Sequence, residues 1–439
     1  MTHVQFVHIV GYMERCESQV VFLKYMEVTG GFPLNGELTV QGSKNAVLPV
    51  LAACLLGNGT CELENCPMIR DVDDTLEIMK SLGCRIERKE GMIRVTVTGQ
   101  ESCEICTAEA SRIRSSVLFL GALLGKIKHV VLPLPGGCAI GERPIDFHVN
   151  ALRKLGATVE LTDRIQASCV RLNGADIYLP LPSVGATENI ILASVLAEGK
   201  TVIYNAAEEP EIYELCCFLN RRGACIRRAA HGIIQICGVK ELRPVRYTMH
   251  ADRIVTGTYM LAAACTRGCI SIRNYPGGQL DALVEILKQM GSRVKCCENT
   301  LILSAEERPK PVLYVETAPY PGFPTDLQSI LMAALCRADG ISCICEKMFE
   351  RRFQIVAELR KMGACIQEQA QCAVVNGVRR MQAARVNAAD LRGGAALVLG
   401  ALQAEGCSVI GNTEYIDRGY EDIIKDLRNL GALVRSVDR

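Results

Sequence analysis

The chain contains no tryptophan, and aromatic residues make up only 5% of it. A pocket of stacked rings, or an indole belt at a membrane boundary, is therefore not expected. Charge of one sign is also missing: 49 Lys and Arg face 48 Asp and Glu, for a formal net charge of +1. No global basic field exists to hold nucleic acid, so any anion site has to be local. Apolar helical stretches run about 10 to 14 residues, short of the ~20 that a membrane span needs. In the first 25 residues, Glu14, Arg15, Glu17 and Lys24 interrupt every apolar run, so neither an export segment nor an anchor is expected and the cytoplasm is the expected location. Cys103 and Cys106 form half of a zinc spacing, but no second Cys pair or His pair stands at a usable distance. No metal and no cofactor are expected.

What is abundant is small and aliphatic. Hydrophobic residues are 49% of the chain, and 23 of the 439 residues are cysteine. An odd number of irregularly spaced cysteines does not suggest a disulfide framework; most, such as Cys216, Cys217 and Cys265, read as small buried apolar residues in a reducing compartment. The length exceeds one ordinary core and suggests two domains. Organised sequence begins at Met26, so residues 1–25 are expected to be a poorly packed extension.

The chain repeats itself six times. SLGCRI at Gly83, KLGATV at Gly156, RRGACI at Gly223, QMGSRV at Gly291, KMGACI at Gly363 and NLGALV at Gly431 recur every 67 to 73 residues. Each glycine suits the left-handed position that ends a helix, and the residues after it start a strand. Between them, an apolar helix ends at a second glycine turn, near Gly57, Gly125, Gly199, Gly268, Gly340 and Gly406, and runs into a short strand. Each unit thus reads helix, strand, helix, strand, strand, and six units fill two domains of three.

The openings of the apolar helices, GSKNAVLPV, SRIRSSVLF, PSVGATENI, ADRIVTGTY, FPTDLQSIL and DLRGGAALV, combine small residues with polar or charged ones. Ser, Thr and Asp there suit N-capping. Lys44, Arg114, Arg253 and Arg392 do not, because a cation at a helix N-terminus opposes the dipole; these are expected to answer a bound anion. The stretch Pro133–His148, PLPGGCAIGERPIDFH, is the candidate for chemistry. Gly136, Gly137 and Gly141 give backbone freedom around the thiol of Cys138, and Pro144 stiffens the segment that presents Arg143, Asp146 and His148. A glycine-rich turn that merely holds one more cysteine is the plainer reading.

Several stretches together settle on one resemblance. GSKNAVLP at 42–49, PGGCAIGERPIDFH at 135–148, SVGAT at 183–187, NAAEEPEI at 205–212, FPTDLQ at 323–328, FERRF at 349–353, ADLRGG at 389–394 and IDRGYE at 416–421 resemble the UDP-N-acetylglucosamine 1-carboxyvinyltransferases, from about Met26 to the end. The resemblance implies an α/β fold, a two-domain inside-out α/β barrel of six βαβαββ repeats. Domain I would comprise residues 26–42 plus 252–439 and domain II residues 43–251, carrying the Cys138 loop. The implied reaction transfers the enolpyruvyl group of phosphoenolpyruvate to the 3′-hydroxyl of UDP-N-acetylglucosamine, the first committed step of peptidoglycan precursor synthesis and the step that fosfomycin blocks.

The resemblance also implies residue roles. Lys44, Asn45, Cys138, Arg143, Arg352, Arg392 and Arg418 match phosphoenolpyruvate positions, as suits a substrate with both a phosphate and a carboxylate. Cys138 matches the proton donor, and Asp326 the base or orienter beside the sugar hydroxyl, although beside a helix start it could also be only a cap. With Lys44 and Arg418 these make the implied catalytic set. Arg114, Arg143, Pro144, Ile145, Asp146, Phe147, Ser183, Val184, Gly185, Asp326 and Met348 match positions around the sugar nucleotide. Two positions depart from the pattern: Leu181 stands where some members have a lysine, and Val255 where a glutamate is expected. A shikimate-type enolpyruvyl transferase and a non-catalytic paralogue are the alternatives; the Cys138 loop argues against the first and the intact charged set against the second.

Overall fold

The structure is a computed structural model that describes residues 24–99, 101–105, 110–111, 113–135, 140–141 and 144–438. Residues 1–23, Cys138 and Arg143 lie outside the described residues. Each of the six repeat glycines has the expected left-handed backbone, with φ between 83° and 103°. The second glycine mark behaves less uniformly. At Gly268 the left-handed residue is Arg267, with φ 59°. The glycine serves another purpose there, since a Cβ would lie 2.0 Å from the carbonyl oxygen of Leu34. Lys128 likewise takes the left-handed cap after the helix Leu118–Ile127.

Five sheets share one strand order. In the first, Arg246–Thr248 runs parallel to Gly59–Glu64, which pairs antiparallel with Met92–Val97, which in turn pairs with Arg85–Lys89. Val315–Glu316, Ile341–Cys345, Cys372–Asn376 and Cys365–Gln369 repeat the pattern. The second unit keeps three strands, His129–Pro133, Arg164–Ser168 and Thr158–Leu161, with a parallel bridge from Glu104 to Val131 in the fourth place. Besides that first sheet, with Arg246–Thr248, two more sheets borrow strands from far away. Asn35–Thr39 lies parallel to Cys269–Arg273, and Lys24–Thr29 sits between Cys407–Gly411 and Leu433–Asp438. Lys24 and Tyr25, which the sequence reading left in the extension, are therefore paired strand residues.

The apolar helices lie inside and the sheets outside. Every residue of Arg253–Thr266, Gln328–Leu335 and Leu391–Gln403 is buried, and these three helices pack on one another. Strands alternate instead, as Arg246–Thr248 does with only Tyr247 buried, so each sheet keeps a wet face. Burying an aliphatic side chain contributes roughly 1.5–3 kcal/mol, so these helices, buried along their whole length, contribute more per residue than strands that bury one face. The buried apolar side chains fall into two clusters. One joins Met26–Val40 to Ala251–Val434, and the other runs from Ala46 to Met249. No helix among the described residues is long and apolar enough to cross a membrane.

The cysteines differ from expectation in two ways. Cys345 and Cys372, facing each other across adjacent strands, are disulfide-bonded with Cα atoms 4.1 Å apart. Among the free ones, Cys54, Cys61 and Cys265 are buried, but Cys225, Cys237, Cys269 and Cys407 are exposed, because they fall on the wet faces of edge or neighbouring strands.

Candidate active site

Three of the four cations at the helix starts, Lys44, Arg253 and Arg392, are answered by carboxylates of the chain itself. Ser43 caps the helix Lys44–Cys54, and the Lys44 ammonium lies 2.7 Å from Asp71. Burial lowers the lysine's pKa, with Arg392 and Arg418 adding to the effect and Asp71 opposing it. Asp71 also takes two bonds from Arg418, at 2.7 and 3.2 Å. Burial would raise the Asp71 pKa, but Lys44 and Arg418 bring it below the ordinary value. Arg253 binds Glu211 through two nitrogens, at 2.9 and 3.3 Å. Both contacts link the two apolar clusters, as does the bond from the Lys44 N–H to Asp252.

Asp326 lies in the single turn Thr325–Leu327, where its side chain caps nothing. Its two oxygens accept from Arg352 at 2.6 Å and Arg392 at 2.8 Å. Burial alone would raise its pKa, yet Arg392 and Arg352 hold the carboxyl well below the usual range. The same contact raises the Arg392 pKa against the effect of burial. Asp326 is thus an anion that orients two guanidinium groups, and so strongly held a carboxylate is a weak base.

The nucleotide-matched segments come together around Asn189, a residue with no assigned role in the sequence reading. Its Oδ1 accepts from the N–H of Gly121, seven residues beyond Arg114. Its Nδ2 lies 2.9 Å from Nδ1 of His148 and donates to the carbonyl of Gly185. Burial and then Arg114 push His148 down to about 4, so the imidazole is neutral at pH 7 and Nδ1 accepts. Gly185 allows this packing, since a Cβ there would come within 3.2 Å of the His148 ring. Ser183 caps the helix Val184–Ser194. Pro144 and Asp146 are exposed, Ile145 and Phe147 half-buried, and Asn45 and Arg114 half-buried. Leu181 is 65% exposed, whereas Val255 is buried in the core.

Beside Cys138 the flanking residues touch the other half of the molecule. The carbonyl of Ile140 accepts from the N–H of Arg351 at 3.0 Å, and a Cβ on Gly141 would lie against the Glu350 carboxylate. Arg352 follows directly, and its guanidinium sits 5.2 Å from the ring of Phe349. Met348 is 37% exposed. The structure therefore gathers Lys44, Asp71 and Arg418 in one ion-paired group and Asp326, Arg352 and Arg392 in another. Asp71 is the residue that sequence reading missed: in RDVDD it looks like ordinary acidic stabilisation of a helix start.

The family model described as EPSP synthase (3-phosphoshikimate 1-carboxyvinyltransferase) matches residues 28–427. Proteins named UDP-N-acetylglucosamine 1-carboxyvinyltransferase match more fully. The one from Caldanaerobacter subterraneus subsp. tengcongensis, numbered 2, is 44% identical over 92% of this chain and 98% of its own. The one from Legionella pneumophila, numbered 1, is 45% identical over 94% of this chain and 83% of its own. The chain belongs to the UDP-N-acetylglucosamine 1-carboxyvinyltransferase family. Among solved structures, the enolpyruvyl transferase NikO from Streptomyces tendae superposes with a TM-score of 0.85 at 24% identity, covering 95% of this chain and 100% of that one. EPSP synthase from Acinetobacter baumannii gives 0.72 at 18% identity, covering 94% and 100%. These identities speak to fold alone, and the fold of the family is the two-domain inside-out α/β barrel.

Proposed function

We propose that this chain transfers the enolpyruvyl group of phosphoenolpyruvate to the 3′-hydroxyl of UDP-N-acetylglucosamine and releases phosphate. The observation that carries the reading is the identity of more than two-fifths, over nearly the whole chain, to enzymes named for that acceptor. The shikimate reading is not favoured, because none of the closely related sequences considered above bears that name.

Phosphoenolpyruvate is an anion at both ends, and Lys44, Asn45, Arg143, Arg352, Arg392 and Arg418 are assigned to it. Arg352 and Arg392, pre-aligned by Asp326, suit forked recognition of one end, and Lys44 with Arg418 suits the other. As the substrate's charge competes for the guanidinium groups, their hold on Asp326 weakens and its basicity rises. In the addition step the sugar oxygen bonds to C2 of phosphoenolpyruvate, Asp326 takes up or orients the hydroxyl proton, and Cys138 delivers a proton to C3. In the elimination step a C3 proton leaves, the C2–O bond to phosphate breaks, and the double bond reforms. Arg114, Pro144–Phe147, Ser183–Gly185 and Met348 are assigned to the nucleotide. Residues 26–42 with 252–439 form one domain and residues 43–251 the other, and closure between them brings the two groups of cations around the substrates.

Phosphate release from phosphoenolpyruvate, measured with UDP-N-acetylglucosamine, with shikimate 3-phosphate and with neither, tests the reaction: release that needs the sugar nucleotide supports it, and none with either acceptor would leave the non-catalytic paralogue. Cys138 is tested by fosfomycin. Wild-type protein is expected to lose turnover with the label on Cys138, whereas Cys138→Asp keeps turnover and loses sensitivity. A label on another cysteine, or native turnover by Cys138→Ala, removes the thiol from the mechanism.

A further inference from the structure

Glu346 is 1% exposed and follows the strand Ile341–Cys345. Its partners are four donors: the hydroxyl of Thr317 at 2.8 Å, the hydroxyl of Thr325 at 2.8 Å, and the N–H groups of Met348 at 2.8 Å and Phe349 at 3.2 Å. Its own N–H donates to the Gln371 carbonyl at 2.8 Å. The Thr317 hydroxyl, while donating to Glu346, accepts from the Lys347 N–H at 2.9 Å. A buried carboxylate is costly unless its lone pairs are filled, and here they are filled by groups on two separate turns and by Thr317, which follows the strand Val315–Glu316. One turn is Thr325–Leu327, which carries Asp326. The other is Met348–Arg352, which carries the nucleotide-matched Met348 and, stacked on Phe349, Arg352.

We propose that Glu346 is a positioning residue that fixes the Asp326 turn against the Arg352 turn, and so sets the geometry in which Asp326 meets the sugar hydroxyl. The assignment deepens the transferase reading and rests on it for its kinetic meaning. Oε2 holds only the Thr325 side, whereas Oε1 holds Thr317, Met348 and Phe349. Both turns therefore hang on one rigid group about 2.2 Å across, as any carboxylate is. Shortening the side chain by one methylene cannot serve both. An amide can, because a hydroxyl such as that of Thr325 accepts as readily as it donates.

The order of effects is thus specific. Glu346→Gln should stay within a few-fold of wild type in kcat. Glu346→Asp and Glu346→Ala should lose about 100-fold, the cost of misplacing a reacting group by about 1 Å. Thr325→Val, which removes only the Oε2 bond and keeps the side-chain shape, should lower kcat by about 10-fold with little change in the KM for the nucleotide. In the impaired variants Asp326 loses part of its contact with Arg352, so its carboxyl titrates higher and the acid limb of the kcat–pH profile moves up. A role in stability alone would not move that limb.

Carbon-13 NMR of aspartate-labelled protein reads the same titration without any turnover. An upward move of the Asp326 carboxyl in Thr325→Val, absent in Glu346→Gln, is the expected result. An unmoved Asp326 in Thr325→Val overturns the proposal whether or not the wild type releases phosphate. If Asp326 moves but the wild type does not turn over, the transferase reading fails and the coupling between the turns stands. Should Glu346→Ala not fold, Thr325→Val and Glu346→Gln still decide the matter.

Discussion

Asp71 and Asp326 each hold two cations of the cleft, but they join different things. Asp326, Arg352 and Arg392 all come from the part of the chain whose core includes residues 251–434, so that cluster is a local brace. Asp71 comes from the other core and shares its charge between Lys44, of its own half, and Arg418, of the opposite one. In the proposed reaction the brace orients groups assigned to one substrate, whereas the bridge ties one half of the chain to the other. A similar electrostatic device is thus local in one place and spans the two cores in the other.

The contrast can be broken by isosteric removal of each charge. Asp326→Asn is expected to lower kcat by about 10²- to 10⁴-fold, the range for a positioned proton-transfer or orienting group, and also to lower the unfolding midpoint, because the buried Arg352 and Arg392 lose their carboxylate. Asp71→Asn is expected to lose stability as well, but with a much smaller loss of kcat. It leaves the buried Lys44 without its carboxylate, which costs about 3 kcal/mol, seen as a lower unfolding midpoint, while kcat at saturating substrate changes less. If the two variants lose stability and kcat in the same proportion, the distinction between brace and bridge disappears.

Acid sharpens the comparison with a smaller effect. Both carboxyls titrate below the ordinary aspartate value, Asp326 further than Asp71. Each therefore binds fewer protons folded than unfolded; its contribution is complete above about pH 4 and is lost as pH falls through the folded value. Urea unfolding followed from pH 5 downward should steepen below about pH 4 in the wild type. The slope should flatten in both variants, and more in Asp326→Asn. Equal slopes in all three proteins would mean that neither pair contributes to stability.

Much of the fold was legible because its signals are local. Gly83, Gly156 and their four counterparts mark helix ends within a few residues, and the left-handed backbone follows from the missing side chain. The helix-start cations were legible too, but their partners were not. Lys44 and Asp71 are 27 residues apart, and Asp71 and Arg418 are 347 apart. Nothing near Asp71 in sequence distinguishes a bridge between halves from a favourable charge at a helix start. Glu346 looks like a surface residue after a strand until Thr317 and Thr325 are seen to enclose it. Val255, which stands where the family pattern has a glutamate, is buried, and its N–H is held by Asp252. The strand at Lys24 began earlier than its motif suggested, because pairing with Leu433–Asp438 extends beyond the residues that resemble the family.

The placement of Lys24–Thr29 has a consequence for how the protein is made. This strand leaves the ribosome well before both of its neighbours, Cys407–Gly411 and Leu433–Asp438. The core of residues 46–249 has all its parts once Met249 has emerged, and it can be completed while synthesis continues. The half that contains Lys24–Thr29 is therefore completed after the core of residues 46–249. Until then Lys24–Thr29 travels as an unpaired strand on a growing chain, and its sheet is sealed only when Leu433–Asp438 emerges.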